Sequence, residues 1–205
     1  VRTAAALRAL IEELREGENL CLGVDRKGRK PLRVLTREQF DKLPDEKKKS
    51  CISRSQEYLT HPSGSGWLLI DFDDDGITKA VQQRIEDCGG VVDALKSIWP
   101  ELRGAEMLVR PSSSSGVYAE DIPPTKSAGL HIYVLIRDPE NSSQALRALH
   151  DRAIAAGFGW IKPSKSGQPL VRSIIDTAVG APERMVFEAP PRLGKGLKRV
   201  PPEIT

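Results

Sequence analysis

Four carboxylates crowd the end of one apolar segment, and the segment itself, Trp67 to Ile70, predicts a strand buried on both faces. The acids are Asp71, Asp73, Asp74 and Asp75. Charge this concentrated is costly unless a cation or water relieves it. Alternate residues of a strand share a face, so Asp71 and Asp73 should project together. Oxygen ligands suit Mg²⁺ or Mn²⁺ better than zinc. We therefore expect this pair to bind divalent ions, and the alternative is an acidic turn that closes the strand.

Two other motifs share this acidic pattern. The string from Asp71 to Gly76 resembles the start of an EF-hand loop, but the twelfth position is Gln82, where a bidentate Glu is required. A strand also precedes it instead of a helix, so we reject this interpretation. Phosphatases of the haloacid dehalogenase type open with a strand ending in Asp-x-Asp as well. They normally have Thr or Val at the place that Asp75 occupies, which leaves them the weaker alternative.

A histidine lies near the start of a second apolar strand, predicted from Leu130 to Ile136. His131 follows Gly129 by two positions, and a glycine there permits close approach of another backbone. A lone histidine in a strand is more often structural than functional. Its combination with an acidic strand end nevertheless favours a place in a functional site.

An aspartate interrupts a third apolar stretch, predicted as a strand from Leu170 to Val179. An unpaired charge at Asp176 would destabilise such a strand by several kcal/mol, so the carboxylate needs a partner. We expect that partner to be a metal ion. A buried salt bridge to Arg172 or Arg184 is the alternative.

Strand-like and helix-like segments alternate along the chain, which indicates one α/β or α+β unit. We expect a helix and a hairpin in residues 1–60, a core in residues 61–190 and a basic tail in residues 191–205. The hairpin is predicted because two apolar segments flank a turn that contains Gly28. The remaining predicted strands span 107–110 and 184–188, with 117–128 as a loop, and helices are predicted at 3–15, 36–43, 78–98 with a break at Gly89-Gly90, and 141–156.

The composition excludes several classes of protein. Three separated cysteines and three histidines supply neither a disulfide framework nor a structural zinc site. No apolar segment approaches the roughly 18 residues that suggest a membrane span, and nothing resembles a signal peptide, so we expect a cytoplasmic protein with no membrane partner. The net charge of +3 is only a weak indication of a nucleic-acid partner. Basic clusters at 26–30, 47–49 and 192–199 would suit a phosphate backbone, or are solvated turns.

Together, the three elements resemble the signature of the archaeo-eukaryotic primase superfamily. That signature is an apolar strand ending in Asp-x-Asp, a small residue-x-His before a strand, and an apolar residue followed by Asp. Here the motifs read Leu68-Leu69-Ile70-Asp71-Phe72-Asp73, Gly129-Leu130-His131 and Ile174-Ile175-Asp176. The second is similar to the Gly-Leu-His strand of bacterial ligase-associated primase-polymerases, and residues 182–188 resemble replication primases of phages, plasmids and integrative elements. The resemblance covers about residues 50 to 190.

The resemblance implies an α/β (α+β) fold: an RRM-like primase-polymerase catalytic core, related to the RNA-recognition motif, with a second small α/β layer and the active site in the cleft between. Asp71, Asp73 and Asp176 would be catalytic and carry two Mg²⁺ or Mn²⁺ ions, with no zinc. His131 would contact the incoming nucleotide. The further candidates for nucleotide binding are Ser115, Ser127, Arg110, Arg172 and Arg184. The serine stays open because the Ser-Gly that closely precedes Gly-Leu-His in the ligase-associated enzymes is here either Ser115-Gly116, separated by an insertion, or Ser127 alone.

We therefore predict a DNA primase or polymerase that uses NTPs or dNTPs on a single-stranded DNA template by two-metal nucleotidyl transfer. We expect the chain to be part of a longer replication protein of a bacterium, phage or plasmid, joined to a helicase or accessory priming domain. One rival is a metal-dependent nuclease, which three aspartates would serve equally well, although the histidine strand disfavours it. The other is a noncatalytic RRM-like module that binds nucleic acid, whose expected paired strand aromatics are missing.

Overall fold

The computed structural model describes residues 1–29, 33–119, 121 and 129–200 as a mixed α/β protein. The helices are α1 (Ala4–Glu12), α2 (Arg37–Asp41), α3 (Asp45–Lys48), α4 (Lys79–Asp87), α5 (Val91–Ile98) and α6 (Ser142–Ala155). The strands are β1 (Leu20–Cys21), β2 (Val24–Asp25), β3 (Arg33–Leu35), β4 (Cys51–Ser53), β5 (Leu59–Thr60), β6 (Gly66–Phe72), β7 (Met107–Pro111), β8 (Val117–Ala119), β9 (Leu130–Ile136), β10 (Gly159–Pro163), β11 (Pro169–Ser173), β12 (Met185–Val186) and β13 (Leu197–Arg199). Short 3-10 helices span Pro100–Gly104, Pro139–Asn141 and Thr177–Val179. None of the described helices combines the length and the apolar character that crossing a membrane requires.

A three-stranded antiparallel sheet in the order β6-β9-β7 contains the two longest strands. β9 lies in the middle and pairs with β6 from Gly66 opposite Ile136 to Phe72 opposite Leu130. β7 pairs with the other edge of β9. Because β6 and β7 are both antiparallel to β9, they run parallel to each other, and α4 and α5 connect them. The result is a split β-α-β unit with an antiparallel strand inserted at its centre.

The sheet is buried because its strands carry apolar residues at successive positions, not only at alternate ones. Leu68, Ile70 and Ile132 are wholly inaccessible to solvent, and Tyr133 is as well. Helices α1, α4, α5 and α6 contribute their apolar faces to the same core. Consequently the site residues stand on a rigid platform, since the strands that bear them have little freedom to shift.

The break between α4 and α5 follows from two glycines. Thr78 caps α4, where its hydroxyl accepts from the N–H of Val81. Gly89 and Gly90 then take φ values of +93° and +115°, which glycine adopts readily and other residues avoid. Two helices with a short break between them form here, as the sequence predicted.

The N-terminal hairpin predicted from the sequence is wrong. The local turn does form, because Gly28 has a φ of +65° and the Asp25 carboxylate accepts two hydrogen bonds from the Arg29 side chain. The neighbouring strands find distant partners instead: β1 pairs with β12, β2 with β5, and β3 lies parallel to β4. Residues 30–32, where the predicted turn ends and the second predicted strand begins, lie outside the described residues. Turn chemistry therefore fixed the bend but not the strand pairing.

The third predicted strand, Leu170 to Val179, is also shorter than predicted. β11 ends at Ser173, and Asp176 is the N-cap of the following 3-10 helix, where its Oδ1 accepts from the N–H of Ala178 at 2.9 Å. The sequence analysis missed β10, which forms a hairpin with β11. The strand predicted at 184–188 shrinks to the two residues of β12.

Part of the basic tail folds back onto the body of the protein. β13 pairs with β8, so residues 117–119, predicted as loop, are a strand instead. Arg199 Nε donates to the Ser115 carbonyl oxygen at 3.2 Å. Burial lowers the pKa of Arg199, and the nearby charge of Arg110 adds to the effect. The tail residues 201–205 lie outside the described residues.

Truncating a central core residue tests how much the sheet contributes to stability. Ile132→Ala should lower the free energy of unfolding by about 2–5 kcal/mol, because it removes buried apolar contacts and leaves a cavity. The matched control is Ile161→Ala on β10, where the side chain is 65% exposed and the expected change is below about 0.5 kcal/mol. Urea unfolding measures both, and equal losses would contradict this placement of the core.

Candidate active site

The register of the central sheet places three polar residues in one row. Asp71 lies directly opposite His131, and His131 lies directly opposite Arg110 on the other edge. Directly opposed residues of an antiparallel pair project from the same face. The distance from His131 Nε2 to Asp71 Oδ1 is 3.6 Å. The acidic and histidine motifs, which are far apart in the sequence, are therefore neighbours in the fold, as predicted.

Glu188, which the sequence analysis did not propose as functional, organises this row. Its side chain is fully buried. Oε1 accepts hydrogen bonds from the Tyr133 hydroxyl and from His131 Nδ1, the latter at 2.7 Å. Arg110 Nη1 lies 3.0 Å from Oε2, close enough for an ion pair although the groups are not aligned as a hydrogen bond. The Arg110 charge compensates a carboxylate that would otherwise be strongly destabilising at this depth.

The Glu188 carboxylate determines which nitrogen of His131 faces the site. A carboxylate can only accept, so Nδ1 must carry a proton whether the ring is neutral or charged. The other ring nitrogen, Nε2, therefore lies on the side of Asp71. Burial raises the pKa of Tyr133 well above its usual range, and the charge of Glu188 adds to this, so the tyrosine keeps its proton and remains a donor.

A cavity of about 390 Å³ opens in front of Asp71 and His131. Three consecutive serines, Ser112 to Ser114, form one wall. The N–H of Ser112 donates to the Gly129 carbonyl at 2.9 Å. A Cβ atom added at Gly129 would lie 2.7 Å from Ser112 Oγ, so only glycine allows the serine loop to approach this closely. The glycine before His131 thus has the close-approach role that the sequence suggested.

Of the two serines proposed from the sequence, Ser115 is not among those on this wall. Ser115 is buried behind the loop, where its N–H donates to the Ser112 carbonyl and its own carbonyl is bound by Arg199. Ser127 lies outside the described residues. The run of four serines from Ser112 to Ser115 was visible in the sequence, but the fold was needed to show which of them line the cavity.

The three predicted metal-binding aspartates line one smaller cavity of about 190 Å³. The backbone N–H of Asp176 donates to the Asp71 carbonyl at 3.3 Å, which holds the bend after β11 against the end of β6. One oxygen of Asp73 accepts from the N–H of Asp75, as one oxygen of Asp176 does from Ala178. Within the described residues, however, no group of three His, Cys, Asp or Glu side chains is arranged as a ready metal cage.

The electrostatics of the aspartates fit a cation nonetheless. Burial raises the pKa of the Asp71 carboxyl, and the charges of Asp176 and Asp73 raise it further, while His131 and Arg184 lower it. Three mutually repelling carboxylates make an all-oxygen donor set, which suits Mg²⁺ or Mn²⁺. The residues present are therefore compatible with the ions that the sequence predicted.

The structure separates the arginines proposed for phosphate binding. Arg184 is exposed and lines the larger cavity together with Arg54, which the sequence analysis missed. Arg172 lines the smaller cavity, away from His131. Arg110 is buried against Glu188 and lines neither of these two cavities.

No family model, curated protein or solved structure matches this chain. Function must therefore be inferred from the geometry of these residues. The sites that matter are the Asp71–His131–Arg110 row, the serine wall in front of it and the three aspartates beside it.

The Glu188 carboxylate should fix the tautomer of His131. In ¹⁵N-resolved imidazole spectra of the free protein, neutral His131 should carry its proton on Nδ1, because that nitrogen faces Glu188. Glu188→Gln should give a mixture of tautomers, because a carboxamide offers both a donor and an acceptor. His150, whose Nδ1 is 2.8 Å from Ser173 Oγ, should keep its spectrum in both proteins. A wild-type His131 protonated on Nε2 in the neutral ring would contradict this geometry.

Neutralising Asp71 should stabilise the protein when no metal is present. A carboxyl whose pKa is raised on folding costs no stability below its unfolded pKa, near 3.9, and destabilises increasingly as pH rises through the folded value. With EDTA at pH 7, Asp71→Asn should therefore melt at a higher temperature than wild type, and the gain should vanish near pH 3. Asp151→Asn, an exposed change on α6, is the control and should have little effect at either pH. A lower melting temperature for Asp71→Asn at pH 7 would contradict this account.

Proposed function

We propose that this chain is the catalytic domain of a primase-polymerase, which transfers nucleotides to primers on single-stranded DNA. The observation that carries the proposal is the meeting of three motifs from distant parts of the sequence. Asp71 faces His131 across β6 and β9, and the Asp176 backbone is bonded to that of Asp71. The primase resemblance requires this meeting of the three motifs.

The topology supports the finer fold proposal, an RRM-like core. With α4 and α5 counted as one connection and the short β8, which pairs with β13, left aside, the elements from β6 to β10 follow the order β-α-β-β-α-β. The sheet order β6-β9-β7 then places the third of these strands between the first and the second. The fourth strand, β10, pairs with β11 instead of joining the sheet edge. The β10–β11 hairpin is our candidate for part of the second layer, which leaves the aspartates in a cleft between the two.

The residues around the larger cavity would bind the incoming nucleotide. The hydroxyls of Ser112 to Ser114 can donate to phosphate oxygens, and Arg184 and Arg54 add positive charge at the same cavity. His131 is oriented by Glu188, and its charged imidazolium form would donate a hydrogen bond from Nε2 to a phosphate. Phe187, 61% exposed beside the cavity, offers a surface on which a base can stack.

Asp71, Asp73 and Asp176 would hold two divalent ions. When bound, such ions activate the primer 3′-hydroxyl and neutralise charge on the triphosphate and the departing pyrophosphate. The aspartates would hold these ions next to the larger cavity, where the nucleotide would bind. A role in replication implies a cytoplasmic location and a helicase or accessory priming domain as partner.

A primer assay on single-stranded DNA tests the proposal. With Mg²⁺ or Mn²⁺ and nucleotides, wild type should create or lengthen labelled strands. Asp71→Asn and Asp176→Asn should each lower the rate by on the order of 100-fold or more, since even the loss of outer-shell partners of a metal costs 10–100-fold. Asp151→Asn should retain the wild-type rate.

The same assay separates the rival functions. Shortening of labelled DNA without nucleotides, lost in Asp71→Asn, would identify a nuclease and overturn the proposal. DNA binding with no turnover in either metal, unchanged by Asp71→Asn, would instead identify a noncatalytic module.

A further inference from the structure

Two cavities flank the same pair of carboxylates and differ in chemistry. Asp71 and Asp73 are the residues that line both. The larger cavity presents hydroxyls and His131. The smaller one is walled by the hairpin of β10 and β11, which brings cations to the aspartates. A reaction that joins two phosphate-bearing molecules at these carboxylates can therefore admit one from each side.

The register of the hairpin explains why its cations face the aspartates. Trp160 lies opposite Arg172, and Lys162 lies opposite Leu170. Because side chains alternate along a strand, these belong to one face, and three of them line the smaller cavity. Trp160 is buried at the base of that face, while Arg172 is exposed. The hairpin thus directs a basic face towards the acidic site.

The two cations are held differently. Lys162 forms an ion pair with Asp75. Its side chain also passes over Gly76, where a Cβ atom added to the glycine would lie 3.1 Å from the Cδ atom of Lys162. Its ammonium group is therefore kept near the end of the acidic segment. Arg172 has no side-chain partner among the described residues, although it stands beside a carboxylate-lined cavity. A guanidinium left free in that position can bind a phosphate group with two parallel hydrogen bonds.

We propose that this hairpin face docks the backbone of a single-stranded DNA strand, whose 3′ end reaches Asp71 from the side opposite the nucleotide. The inference rests on the proposed function and adds to it the place where the strand binds. Arg172 contacts a backbone phosphate directly, and Lys162 contacts a second one. These contacts are to phosphates, so binding on this face is independent of base sequence and sensitive to salt.

The test is fluorescence anisotropy of a labelled single-stranded oligonucleotide with the full chain over a series of salt concentrations. Loss of two phosphate contacts in the double variant Arg172→Gln, Lys162→Gln should reduce the slope of log K against log salt by about 1.4, at about 0.7 per contact. Arg147→Gln, an exposed arginine on α6, removes a cation elsewhere and should keep the wild-type slope. Binding of dGTP with Mg²⁺, followed by calorimetry, should be unchanged in the double variant.

Several outcomes would overturn the docking face: a double variant with the wild-type slope, equal weakening by Arg147→Gln, loss of dGTP binding instead of DNA binding, or no DNA binding by wild type. Failure of the proposed function looks different. If the double variant changes the slope as expected but wild type transfers no nucleotide with Mg²⁺ or Mn²⁺, the docking face stands and the polymerase activity does not. Thermal melting of each variant shows that the fold is retained.

Discussion

The buried Glu188 carboxylate joins the segment that follows β12 to the middle of the central sheet, and the geometry of the site depends on that contact. Arg110 offsets its charge, while Tyr133 and His131 donate to one of its oxygens. These partners lie on β7 and β9, whereas Glu188 follows β12, so the contact holds the segment that carries Phe187 against the central sheet. Without compensation, a carboxylate at this depth would be one of the most destabilising groups in the molecule. The same contacts that satisfy it also orient the imidazole.

The sequence predicted best where burial is complete. β9 spans Leu130–Ile136 as predicted. A strand buried on both faces is a continuous run of apolar residues, so the ends of the run in the sequence mark the ends of the strand. The end of β6 and the break at Gly89-Gly90 were predicted for similar local reasons. The N-terminal hairpin failed because short strands with a mixed pattern choose partners by long-range packing, which no local signal encodes. The bend before Asp176 was missed because the carboxylate caps a 3-10 helix, a polar contact inside an otherwise apolar stretch.

The site was predicted in part for a related reason. Asp71, His131 and Asp176 were found because a polar residue within an apolar strand is conspicuous. Glu188 was not, since a glutamate after a two-residue strand is typical of a solvated surface. The only signal that could have found it was its place within the segment 182–188, which resembles phage and plasmid primases. Burial of a charge is a property of the assembled fold, and its partners lie on strands far away in the sequence.

Asp71, at the end of β6, is compensated less completely than Glu188, and this difference distinguishes the two carboxylates of the site. Glu188 is paired within the protein with Arg110, whereas burial and the like charges of Asp176 and Asp73 raise the pKa of Asp71 against the opposing effect of His131 and Arg184. Selection for stability alone would replace carboxylates that repel one another. Their presence at a cavity wall is typical of sites that bind charged ligands. A hydrolase uses water as its second reactant, so it gains little from a second cavity that leads to the same carboxylates. The hydroxyl-lined cavity on one side of the carboxylates and the basic hairpin on the other suit two reactants that both carry phosphate.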